Sequence, residues 1–63
     1  MDLGKSYRIF KADGCIIDFK TWGGEKNLVE ILATTSPSYQ IGDKIPIDVL
    51  YAGGFLGEIL EIQ

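Results

Sequence analysis

A chain of 63 residues makes one domain at most and buries only about 60% of the surface its unfolded form exposes. Small chains offset so thin a margin with disulfides, a metal or self-association; a single cysteine, Cys15, and no histidine disfavour the first two and leave self-association as the expected route. The formal charge of -3, with an isoelectric point near 4.6, sets a field that repels phosphate backbones and anionic membranes, so nucleic acid is disfavoured as a partner.

The first alternation is Tyr7, Ile9 and Lys11 against Arg8 and Phe10, and it stops at Ala12-Asp13-Gly14, where Asp-Gly is a short hairpin signal. Beyond the turn, "CIIDFKTW" places Cys15, Ile17, Phe19 and Thr21 on one face of a strand, read as core, and Ile16, Asp18, Lys20 and Trp22 on the other. Gly23-Gly24 breaks the chain. In "EKNLVEILATT" two periods compete: as a strand, 28–33 shows apolar groups on both faces, whereas a helix over 25–33 aligns Leu28, Ile31 and Leu32. The Thr34-Thr35 tail and the Gly-Gly turn favour the strand. Pro37 then pushes Ser36 out of the helical region, so Ser36-Pro37-Ser38 is loop.

Gly42-Asp43 is a turn dipeptide. Ile45, Ile47, Val49 and Tyr51 alternate after it with Pro46, Asp48 and Leu50, which predicts a half-buried strand with Ile47 and Val49 inward and Pro46 at its start or on a sheet edge. Ala52-Gly53-Gly54 closes that segment. The last one, "FLGEILEIQ", reads either as a strand with apolar groups on both sides or as a helix, which Gly57 disfavours by about 1 kcal/mol relative to alanine. Five short strands between glycine-rich turns, with no βαβ alternation, predict an all-β fold: a single domain over 1–63, a small five-stranded antiparallel barrel of the SH3-like or OB-like kind, with 25–33 or 55–62 as possible short helices.

From Asp18 to Tyr51, the order "DFKTWGGEKNLVEILATTSPSYQIGDKIPIDVLY" resembles a bacterial family called domain of unknown function 3592. The matching positions are Phe19, Thr21, Gly24, Ser36, Pro37, Tyr39, Gly42, Asp43, Lys44, Val49 and Tyr51. The resemblance implies a β fold and no established activity.

Without histidine the usual general base near neutral pH is missing, and Asp13, Asp18, Asp43 and Asp48 are scattered over two turns and two outward strand positions, where they solvate and shape turns. Cys15, beside Ile17 and Phe19, reads as a small hydrophobe. The Gly23-Gly24 and Gly53-Gly54 pairs lack the longer glycine pattern of a phosphate loop or dinucleotide fingerprint. The expectation is therefore no catalysis, no cofactor and no metal.

Two functions compete. The apolar share of 46% and mean hydropathy of +0.13 exceed what so small a core needs, and Leu56 and Leu60 lie in one of the two-sided apolar segments, so the preferred expectation is a protein-interaction module that binds another protein or itself, as in a homodimer. The alternative is single-stranded nucleic-acid binding through a basic-aromatic strand face of Arg8, Lys20 and Trp22. No signal peptide or spanning segment is visible, and one unpaired cysteine fits a reducing compartment, so the expected location is the cytoplasm.

Overall fold

The first alternation resolves into a hairpin. In the computed structural model, which describes residues 2–62, β1 (Ser6–Lys11) and β2 (Ile16–Gly23) pair antiparallel, with Tyr7 opposite Phe19 and Ile9 opposite Ile17. Those four side chains, Lys11 and Thr21 are buried, as the period of two predicts. Cys15 precedes β2 and is half-buried. The connection closes when the Gly14 N–H donates to the Lys11 carbonyl at 2.9 Å with Gly14 at a φ of +93°, a type I reversal followed by a left-handed glycine.

Within that turn the Asp13 carboxylate accepts the Cys15 N–H at 2.9 Å. This bond holds the Asp13 pKa below the usual 3.8. A depressed carboxylate contributes stability that is complete above its unfolded pKa and is lost as pH falls through the folded one. Asp13→Asn keeps an oxygen acceptor but cannot titrate. Its melting midpoint is expected to drop less than the parent's between neutral pH and about pH 3; equal drops would place the acid sensitivity elsewhere.

The competing periods in 25–33 end as a strand: β3 (Leu28–Thr34) pairs with β2, with Val29 and Ile31 in the core. The register slips twice, so that Leu32 is an extra residue on β3 and Trp22 an extra residue on β2. Each such bulge leaves one residue unpaired and re-aims the side chains around it.

The segment after Gly42 differs from the expected strand. Only Lys44–Pro46 is strand (β4), and Ile47–Tyr51 is one turn of helix (α1) with extended Pro46 at its N-cap. Proline suits this place because its missing N–H is not needed there and its φ of -61° leads into the helix. The turn brings Ile47, Leu50 and Tyr51 to one side. Leu50 is fully buried, Ile47 and Tyr51 pack partly against the core, and Val49 is 47% exposed, so the inward residue is Leu50 and not Val49. Asp43 shapes its turn as expected, its carboxylate accepting the Gln40 N–H at 3.2 Å.

The last segment is β5 (Phe55–Ile62), paired antiparallel with β1. The sheet order is β4-β3-β2-β1-β5. This is a five-stranded antiparallel sheet, as expected, but it does not close into a barrel, because no ladder joins β4 to β5. β4 stops after three residues at Pro46, and α1 takes the chain from one edge of the sheet to the other. The core lies on one face of the sheet: Tyr7, Ile9, Ile17, Phe19, Val29 and Ile31 from three strands, and Leu50 from α1.

Candidate functional site

The core uses one face of the sheet, and the other is organised in rows by strand register. Leu56, Phe10 and Ile16 form one row across β5, β1 and β2. Leu60, Arg8, Asp18 and Ala33 form the next, and Ile62, Ser6, Lys20, Glu30 and Lys44 cross all five strands. The residues singled out in the sequence, Arg8, Lys20, Trp22, Leu56 and Leu60, thus belong to one surface. They divide into an apolar half and a charged half.

In the apolar half, Leu56 is 58% and Leu60 49% exposed. Half-buried Phe10, Ile16 and Ile62 complete it, so the exposed leucines are part of a patch that spans three strands. Leu60 sits opposite Arg8, whose stem continues the apolar surface.

In the charged half most groups have partners. Arg8 donates to both Asp18 carboxylate oxygens, at 2.7 and 3.0 Å. This fork raises the Arg8 pKa further and fixes the guanidinium in place. The Trp22 indole N–H donates to Glu30 at 2.8 Å, and the Lys44 ammonium stands 4.5 Å from the ring centroid. Of the three residues of the expected basic-aromatic face, Arg8 thus turns to Asp18, and the cation over the Trp22 ring is Lys44. Lys44 and Glu30 were legible in sequence only as neighbours of turns and strands, because their meeting with Trp22 depends on the bulge. Among the described residues Lys20 is exposed and makes no ion pair.

A cleft of about 280 Å³ opens at the end of the sheet between the N-terminal loop and α1, lined by Leu3, Thr21, Val29, Ile47 and Tyr51 among others. It falls just under the range of about 300 to 1,000 Å³ usual for small-molecule sites. Burial and then the neighbouring Asp48 charge raise the Tyr51 pKa, so its hydroxyl stays protonated at neutral pH. Among the described residues no group of three or more metal-ligating side chains comes together. Asp13 lies on the hairpin tip, Asp18 on Arg8, Asp43 in its turn and Asp48 on α1, so the structure does not assemble the four aspartates into a site.

No helix among the described residues is long and apolar enough to cross a membrane. No family model matches this chain, and searches of curated proteins and of solved structures find no match either.

Proposed function

We propose that this chain is a non-catalytic protein-interaction module, a small β domain on an SH3-like or OB-like plan with its sheet left open, that works through the outer face of that sheet. The supporting observation is the apolar row of Leu56, Phe10 and Ile16 with Leu60 beside it, on a face where the two leucines stay about half exposed or more. An apolar patch rimmed by charged side chains has the anatomy of an interface: a centre that loses water and a rim that stays wet.

The test is a Leu56→Lys, Leu60→Lys double variant. Both side chains are exposed, so its unfolding midpoint should stay close to the parent's. It should lose the parent's binding of an apolar dye and any self-association seen by light scattering at micromolar concentration. A parent that is monomeric and binds no dye sinks the reading.

Single-stranded nucleic-acid binding is the alternative, since Trp22 is 52% exposed with Lys20 and Lys44 on its side of the sheet. Against it, Arg8 is neutralised by Asp18 and the indole is engaged by Glu30 and Lys44. Trp22 is the sole tryptophan, so titration with an oligonucleotide at low salt decides: unchanged emission removes this alternative.

A further inference from the structure

The two edges of the sheet are not alike. β4 is three residues long, begins with Lys44 and ends with Pro46, the two residue types that natural sheets use to guard an edge. β5 is eight residues long and contains no lysine, arginine or proline. It pairs on one side with β1 and, among the described residues, with no strand on the other, so alternate backbone N–H and C=O groups along it are free to pair. The left-handed Gly57, with a φ of +64°, and the register slip between Arg8 and Phe10 mark a bulge in which Gly57, Glu58 and Ile59 stand against Ile9 alone, so the regularly paired stretch is Leu60 to Ile62, with Glu58 and Ile59 leading into it from the bulge.

The side chains of that stretch name the occupant. Leu60 and Ile62 lie on the outer face with Arg8 and Ser6, Ile59 packs toward the core, and Glu58 and Glu61 supply two charges three residues apart. Glu61 is shared with Lys5 at 3.7 Å, and Glu58 makes no ion pair among the described residues. A second copy is the poorer occupant: two β5 strands paired about a two-fold axis bring four carboxylates onto one short ladder, with only Lys5 from each copy to oppose them. A cationic strand meets both needs at once.

We infer that the free edge of β5 accepts an extended segment of another protein by strand addition, and that this segment carries two cationic side chains separated by two apolar ones. The cations face Glu58 and Glu61; of the apolar pair, the residue opposite Leu60 extends the patch of the outer face and the residue opposite Ile59 lies on the core side. Main-chain hydrogen bonds supply affinity, and the spacing of the charges supplies register. The chain's net charge of -3 steers such a partner toward it.

This inference rests on the interaction-module reading, and the experiment separates the two. The full chain, labelled with nitrogen-15, is titrated with three capped peptides whose cores are Lys-Val-Val-Lys, Lys-Pro-Pro-Lys and Glu-Val-Val-Glu. The first should shift the amides of Glu58 to Ile62 and bind at least about tenfold more tightly than the other two. The proline peptide has the same charge but cannot complete a ladder, so equal binding of the two cationic peptides overturns strand addition. Shifts centred off β5, or no binding of any peptide, overturn it as well. Glu58→Lys should weaken the Lys-Val-Val-Lys peptide about tenfold and strengthen the Glu-Val-Val-Glu peptide, a reversal that a structural role of Glu58 does not produce; an unchanged preference counts against the edge. If the peptides fail while the Leu56→Lys, Leu60→Lys variant still abolishes dye binding, the edge inference falls and the outer face stands.

Discussion

Truncating Leu50 to alanine is expected to remove about half of the domain's stability. Leu50 is fully buried and is the one fully buried side chain that α1 sends into a core otherwise built from the strands. The open sheet has no ladder between β4 and β5 to cover this side, so Leu50 fills what a closed barrel would cover with strand. A leucine truncated in such a place costs about 2 to 5 kcal/mol. The whole stability of a domain of 63 residues, scaled by length, is about 3 to 9 kcal/mol. Val49→Ala, one residue away and 47% exposed, is expected to change stability by no more than about 0.5 kcal/mol. Urea denaturation of the two variants measures both. Comparable losses, or a larger one for Val49, would mean that the segment is the alternating strand and not the helical turn.

That pair of substitutions also marks where the sequence is ambiguous. Residues 45–51 satisfy two periods at once: Ile45, Ile47, Val49 and Tyr51 by twos, and Ile47, Leu50 and Tyr51 by threes and fours. A window this short cannot arbitrate. Pro46 does not arbitrate either, because it serves as well before a helix as at the start of a strand; what separates the two readings is that Leu50 is fully buried and Val49 is 47% exposed. In 28–34 the ambiguity has another source. The core takes Val29 and Ile31, the extra residue Leu32 resets the alternation, and Thr34 then falls opposite buried Ile17. A bulge has no signature in composition, so two-sided hydrophobicity was the visible trace of it.

The first hairpin was fully legible because one clean period ran into a turn dipeptide, and its outward residues carried most of the candidate surface with them. Arg8, Lys20 and Trp22 were placed on the correct face by alternation alone. Their partners were not, since the Arg8 to Asp18 fork depends on register and the Lys44 to Trp22 contact depends on a strand distant in sequence. Closure of the sheet is not legible in the sequence for a related reason. Whether five strands close depends on the length of β4 and the path of the chain after it, and both changed once 47–51 became a helix.

The second large effect belongs to Lys11, which alternation placed on the core face despite its charge. Its side chain is buried, and the ammonium donates to the Leu50 carbonyl and, at 2.7 Å, to the Ala52 carbonyl. These are orphan acceptors at the C-terminal end of α1, where a cation is also favoured by the helix dipole. The same residue stands opposite Phe55, the first of β5, and the Ala12 N–H donates to the Gly54 carbonyl at 3.2 Å. Lys11 thus ties three elements at one corner: the end of β1, the end of α1 and the start of β5. Lys11→Met keeps a stem of similar length and removes the donor. The exposed Ala52 carbonyl can turn to water, but the carbonyl of buried Leu50 loses its side-chain partner. An unsatisfied buried acceptor costs about 1 to 3 kcal/mol, and relief from burying an ammonium offsets part of it. Lys11→Met is therefore expected to lose about 1 to 2 kcal/mol, and Lys11→Ala more, because it also empties the space of the stem. Hydrogen exchange adds a local readout: the Ala12 amide, which bonds across this corner to the Gly54 carbonyl, and the Gly54 amide, which bonds back to the Tyr51 carbonyl at 3.0 Å, should exchange faster in Lys11→Met than global destabilisation alone accounts for. A Lys11→Met variant as stable as the parent, with unchanged exchange at those two amides, would show that the corner is held by packing and that the ammonium is incidental to it.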